Sequence, residues 1–357
     1  MKNIFSKNKK RNKEPYNELI LEISSIRDKS STIAFAPDNT GYSWLGIKNG
    51  AIALFPDTIV CLPQNYSNSI FIEKELIELS KKIASLKFNK IIFRGFPFYF
   101  EKLIRNIRLE NQECEIFVLY GGFYSEFSYN DYALKGYNKI ITLARERIID
   151  KIGFNKNGLA ETTQKLFKVE CQQYFNKTIA PLKSSKKNQL DIINIGVLAN
   201  HDFRKNIHNQ VAGALLIDHS NVYVGKKDKF DYFENHMHRI KNTPDLLPHN
   251  EFIQVIHNMT INMYVSFSES WGHVILESLA GGIPCLASNT SSIFDSNEVL
   301  ANALIVDKFD DSFAIYKKAK SILDNYEEIS AESIKHVQHI NKLADDKMDN
   351  FLNIDSN

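Results

Sequence analysis

The sequence predicts an α/β chain of two doubly wound lobes, with a cleft between them and a long C-terminal helix packed across both. Three observations carry that reading. Short β-rich runs alternate with amphipathic helical stretches, the alternation restarts after a polar, lysine-rich stretch at 183–189, and 357 residues correspond to two domains at roughly 150 residues each. The expected layout is a basic tail and leading helix over 1–30, an N-terminal lobe over 31–182, a C-terminal lobe over 190–329 and a closing helix over 330–357.

In the first lobe the strands are read at Thr32–Ala36, Thr58–Leu62, Lys90–Phe93 and Glu115–Leu119, where β-branched and aromatic residues cluster. Between them lie helices such as Glu73 to Leu86, with Leu76, Ile77, Leu79, Ile83 and Ala84 on one stripe. In the second lobe the strands are read at Ile192–Val197, Val222–Val224, Met263–Phe267, Cys285–Ala287 and Ala303–Val306. A final helix from Ser330 to about Phe351 follows from Ile334, Val337, Ile340, Leu343 and Met348. In open sheets of this kind ligands sit at the carboxyl ends of the strands, so the cleft between the lobes is the place to look for function.

Composition narrows the function. The chain is 43% hydrophobic and 24% charged, as an ordinary folded protein is, and a net charge of +2 gives no basic face for nucleic acid. Cys61, Cys114, Cys171 and Cys285 form no C-x-x-C pair, so neither a disulfide framework nor a thiolate zinc site is expected. No run approaches the roughly 20 apolar residues needed to span a bilayer, and no secretory h-region opens the chain. A cytoplasmic protein is expected. Lys2, Lys7, Lys9, Lys10, Arg11 and Lys13 precede the first acid. That tail has two readings, a solvated terminus or a contact with anionic lipid on the inner face of the cell membrane at about 1 kcal/mol per basic residue.

The chemistry is concentrated in residues 266–288. A strand gives way to a turn through Ser268–Gly272, and a short helix opens near His273. Gly272 lets the backbone approach a ligand closely, and the N–H groups of Gly272, His273 and Val274 at a helix N-terminus favour a negative group such as a diphosphate. Glu277, a turn further on, is suited to accept hydrogen bonds from a ribose diol, and Glu269, before the helix, from a transferred sugar. Gly281–Gly282 ends the helix. Upstream, Arg204-Lys205-Asn206 is read as opening another helix, where two cations at a positive helix end want an anion partner.

Glu269, seven residues, Glu277 and a Gly-Ile-Pro strand resemble the signature of retaining glycosyltransferases of the GT-B fold, the group 1 or fourth family. The resemblance is best over Ile195–Ser288. It implies two Rossmann-like lobes, a nucleotide-diphospho-sugar donor on the C-terminal one and a saccharide or lipid-linked saccharide acceptor on the N-terminal one. It implies Glu269, Lys205 and Arg204 as catalytic residues. Gly272, His273, Val274 and Glu277 would bind the donor, with Leu247 beside the base and Gly41, in Pro37–Gly41, near the donor phosphate. The match loosens at the adjacent Arg204 and Lys205, which the family usually separates.

Relatives also carry a first-lobe histidine near the transferred sugar. No histidine precedes His201 here, and Tyr124, Ser125 and Glu126 are the candidates for that place. There is no Asp-x-Asp, so no metal-bridged diphosphate site is expected, and no cofactor besides the donor. Dinucleotide and P-loop fingerprints are also missing. His236-Met237-His238 lacks a third well-spaced ligand for a metal. Low arginine and abundant lysine, asparagine and isoleucine fit an AT-rich bacterial genome, and there the resemblance implies a role in surface polysaccharide synthesis. Two other readings use the same fold, a sugar-nucleotide epimerase and a non-catalytic subunit that binds a partner or a glycan.

Overall fold

The computed structural model describes residues 14–39, 45–65, 68–183, 192–199, 202–225, 227–244 and 247–353. The basic tail, Gly41 and most of the 183–189 stretch lie outside them. The leading helix α1 (Glu14–Arg27) buries Leu19, Ile23 and Ile26. The chain then runs β1 (Thr32–Asn39), α2 (Leu45–Leu54), β2 (Ile59–Asn65), β3 (Asn68–Ser69), α3 (Glu73–Ser85), β4 (Lys90–Arg94), α4 (Tyr99–Glu110), β5 (Glu115–Tyr120), α5 (Tyr124–Phe127), α6 (Asp131–Arg145), β6 (Lys151–Phe154), α7 (Asn157–Phe167) and β7 (Cys171–Gln173). The strands form one sheet in the order β3-β2-β1-β4-β5-β6-β7, parallel except for β3. The direction of winding reverses between β1 and β4, which opens a crevice at their carboxyl ends.

The second lobe contains β8 (Ile193–Val197), α8 (Ile207–Leu215), β9 (Ser220–Val224), β10 (Ile240–Asn242), α9 (His249–His257), β11 (Ile261–Tyr264), α10 (His273–Ala280), β12 (Cys285–Ala287), α11 (Glu298–Leu304) and α12 (Ser312–Asp324). Its sheet is all parallel in the order β10-β9-β8-β11-β12, reversing between β8 and β11. The loops that follow these two central strands therefore face each other.

The pleat explains how the lobes are joined. In β5, Ile116 and Val118 point into a core confined to the first lobe, while Phe117 and Leu119, on the other face, join a core that is continuous with the second lobe. The long helix α13 (Tyr326–Phe351) bridges the two. Ser330 Oγ donates to Gly282 O at 2.6 Å in the second lobe, and Phe351 packs edge-on against Phe117 at 5.4 Å in the first. Lys151 Nζ donates to Phe351 O at 3.1 Å and Lys177 pairs with Asp345 at 2.5 Å. The sequence expectation of a clasping helix holds, with a start four residues earlier than expected.

Three local expectations are corrected. The run Ala303–Val306 is not a strand: Asn297 caps α11 by accepting from Leu300 N at 2.9 Å, Leu300 and Leu304 are buried one helical turn apart, and only Ile305 bridges to Ala287. The strand read at Met263–Phe267 is β11, Ile261–Tyr264, and Val265–Phe267 is already loop. Arg204 and Lys205 do not open a helix. They sit in a 3₁₀ turn, Phe203–Lys205, and Asn206 takes a left-handed conformation (φ 52°) before α8 starts.

Candidate functional site

The loops after β8 and β11 and the N-terminus of α10 form one wall of a cleft of about 840 Å³, and the strand ends of the first lobe form the other. That volume lies within the range of small-molecule sites. Arg204, Lys205, Leu247, Glu269, Gly272, His273, Val274 and Glu277 all line it, so the structure gathers the described donor-site and catalytic candidates in one place.

The turn that carries Arg204 and Lys205 is fixed by polar bonds. Asp202 accepts from Arg204 N at 3.2 Å. Asn206, a residue type that tolerates φ above zero, donates from Nδ2 to Val265 O at 3.1 Å and to Phe309 O at 2.5 Å. Buried Gln210 donates from Nε2 to Lys205 O at 2.6 Å and accepts from Val265 N at 2.9 Å. The two loops after β8 and β11 are thus tied to each other. Asn206 and Gln210 escaped sequence reasoning, since their role depends on a backbone turn that residue type alone does not reveal.

Both cations converge on Glu269. Arg204 Nη1 lies 3.0 Å from Glu269 Oε1 and 3.2 Å from Ser268 O, and its Nε lies 3.0 Å from Asp202 Oδ2. Lys205 is 5% exposed and donates from Nζ to the same Oε1 and to Tyr264 OH. Burial pulls the Lys205 pKa down against the pull of Glu269. Burial also opposes the Arg204 charge, yet Glu269, Tyr264 and Asp202 hold its pKa above the ordinary value. The anion partner expected for the pair is thus present within the chain, as a carboxylate on the facing loop.

Gly272, with φ +91°, caps α10, and a Cβ there would lie 2.9 Å from Ile275 Cδ1. No side chain caps the helix, which leaves its first N–H groups facing the cleft. Glu277 is buried and its Oε1 lies 2.7 Å from Nε2 of His249, which opens α9 beside Leu247. His273 was expected to act through its backbone alone. Its ring reaches α2 of the other lobe, within 3.1 Å of where a Gly50 side chain would start, and burial lowers its pKa to about 4.

Across the cleft stands the segment expected to replace the missing histidine. Ser125 Oγ meets Ser268 Oγ at 2.5 Å, and Lys156 Nζ donates to Thr290 O, so the lobes touch on both sides of the site. Glu126 lines the cleft and accepts from Asn130 Nδ2 at 2.9 Å. Burial raises its pKa, while Asn130 and Arg204 act the other way. Among the described residues no three His, Cys, Asp or Glu side chains come together as metal ligands, and no helix is long and apolar enough to cross a membrane. Cys61 is only half-buried, and the other three thiols are buried.

The fold and the cleft define a two-lobed GT-B protein. Three solved structures show the same architecture. Anabaena HepE in complex with UDP-glucose superposes with a TM-score of 0.63 at 11% identity, over 90% of this chain and 99% of that one. Sucrose-phosphate synthase from Thermosynechococcus elongatus gives 0.62 at 12% identity over 90% and 98%. WaaG, a glycosyltransferase involved in lipopolysaccharide biosynthesis, gives 0.60 at 11% over 89% and 98%. No curated protein matches the sequence. Residues 172–339, the part of the chain that carries Arg204, Lys205, Glu269, Glu277 and α10, match the family Glycosyl transferases group 1.

Proposed function

We propose that the chain transfers a sugar from a nucleotide-diphospho-sugar to a saccharide or lipid-linked saccharide, with retention and without a metal ion. One observation carries the proposal: Lys205, Arg204 and the Gly272 end of α10 meet Glu269 and Glu277 in a single cleft. The bond from the anomeric carbon to the diphosphate breaks while the acceptor oxygen bonds to that carbon on the same face. The acceptor's proton passes to the departing phosphate oxygen. Negative charge accumulates on the diphosphate as this happens, and the two cations and the helix N–H groups stabilise it most in the transition state. Glu277 and His249 would hold the ribose, Glu269 the transferred sugar, and contacts between the lobes would exclude water.

The structures of HepE with UDP-glucose and of pneumococcal GtfA with UDP and GlcNAc make uridine donors the first to try. A role in bacterial surface polysaccharide synthesis belongs to the same proposal, as does the basic tail as a contact with the inner membrane face. The test is nucleoside diphosphate release from a panel of UDP-, GDP-, CDP- and ADP-sugars, with and without chelator, and the anomeric NMR coupling of the product. Release that survives chelator, with the donor's anomeric configuration kept, is expected. Loss of release with chelator, or an inverted product, would contradict the corresponding part.

A further inference from the structure

Arg94 is the last residue of β4 and is 2% exposed in the first-lobe wall of the cleft. Its Nη2 donates to Asn176 Oδ1 at 3.1 Å, but Nε and Nη1 have no acceptor among the described residues. No described carboxylate lies near enough to pair with it; the group that supports its charge is Tyr174, whose ring centroid is 5.2 Å from Cζ. The Tyr174 hydroxyl, Asn155 Oδ1 and Asn176 Nδ2 are also buried without partners.

These groups stand together at the carboxyl ends of the strands. Arg94 ends β4, Asn155 follows β6 and Asn176 lies beyond β7, while Gly121 follows β5 between them. A Cβ on Gly121 would lie 3.3 Å from Arg94 Nη1 and 3.7 Å from Asn155 Nδ2, so glycine keeps the approach to the guanidinium clear of a side chain. From the opposite lobe His273 adds no second positive charge, since burial holds its imidazole neutral and Arg94 acts in the same direction.

A guanidinium does not shed its proton to escape burial. An unpaired buried charge costs several kcal/mol, and a site that keeps one is compensated when an anion arrives. On the opposite wall Arg204 and Lys205 have Glu269 as their carboxylate. We propose that Arg94, with Asn155 and Asn176, is a subsite for a carboxylate or phosphate borne by one of the two sugar substrates. The proposal rests on the nucleotide-sugar reading only for placing sugars in this cleft. Two sources fit the chemistry, the transferred sugar and the acceptor.

Calorimetry on the full chain separates them. In the donor arm, wild type, Arg94→Gln and Arg94→Lys are titrated with UDP-glucuronate and UDP-glucose. In the acceptor arm the same proteins, with and without UDP, are titrated with glucuronate, glucose 6-phosphate and glucose. Wild type is expected to prefer the anionic sugar in one arm by about tenfold, the worth of a charge-assisted hydrogen bond. The Gln variant should lose that preference and the Lys variant keep part of it. No preference in either arm, or one that survives Arg94→Gln, would overturn the proposal. Should Arg94→Gln fail to fold, the wild-type preference and its reduction in Arg94→Lys decide by the same criterion. UDP titrated alone reports the donor site: failure of UDP to bind contradicts the uridine donor, whereas UDP binding without anion preference contradicts only the subsite.

Discussion

Replacing Glu269 by Gln keeps the side-chain shape and removes the charge on which two cations converge. Breaking a buried ion pair by neutralising one partner costs about 3–5 kcal/mol. Here the cost should fall near the lower end, about 3 kcal/mol, because Arg204 retains Asp202 at 3.0 Å and Lys205 retains the Tyr264 hydroxyl. A diphosphate in the cleft supplies negative charge in place of the carboxylate, and in wild type it must draw the cations from Glu269. Freed of that competition by one charge-assisted bond of about 1.5 kcal/mol, the variant should bind UDP about tenfold more tightly. At a UDP concentration of about 100 times the wild-type Kd, wild type gains about 2.7 kcal/mol and the variant about 4.1. The assay is urea unfolding of both proteins with and without UDP. A variant as stable as wild type, or equal gains from UDP, would refute the idea that Glu269 occupies the diphosphate's cations in the free protein. Sugar transfer should fall in the variant even as nucleotide binding tightens, because Glu269 is also assigned to the transferred sugar.

Other substitutions test separate parts. Gly272→Ala forces a Cβ onto Ile275 at φ +91°, and unfolding should show a loss of about 1–3 kcal/mol together with weaker nucleotide binding; unchanged binding would remove the helix N-terminus from the site. Glu277→Ala should weaken binding of the nucleoside diphosphate by about tenfold, read by calorimetry, and equal affinity would dismiss the ribose role. His273 is held near 4, against about 6.5 in the unfolded chain. The unfolded state therefore takes up a proton that the native state refuses, and stability present above pH 6.5 is lost as pH falls towards 4, by roughly 3 kcal/mol at about 1.4 kcal/mol per pH unit. His273→Gln should flatten that part of the unfolding profile, and an unaltered slope would assign it to other groups.

The parts of the site that were legible in the sequence were those written in local backbone chemistry. Gly272 at the start of α10 and Gly281–Gly282 after it bracket an eight-residue helix, and capping rules locate both ends. The strands β1, β4 and β5 are continuous apolar runs, as central parallel strands are. By contrast β6 begins with Lys151, whose amine is spent on the end of α13, and contains Gly153 against Leu119 and Tyr174, so its composition does not read as a strand. The error at Ala303–Val306 came from an apolar run short enough to suit either state, which the Asn297 cap decides. The convergence of Arg204, Lys205 and Glu269 joins residues more than sixty positions apart, and the Asn206 turn that permits it carries no periodic signal. Arg94 was invisible for a related reason: a cation at a strand end looks solvated until its neighbours are known.

The central claim is that the Lys205, Arg204 and α10 wall binds a nucleoside diphosphate. Titration of UDP, GDP, CDP and ADP into wild type and Lys205→Met, with and without chelator, tests it most directly. One nucleoside diphosphate should bind wild type independently of chelator and bind Lys205→Met at least about tenfold more weakly, the loss of a charge-assisted hydrogen bond. Binding of none of the four by folded protein, or equal binding by Lys205→Met, would contradict the account.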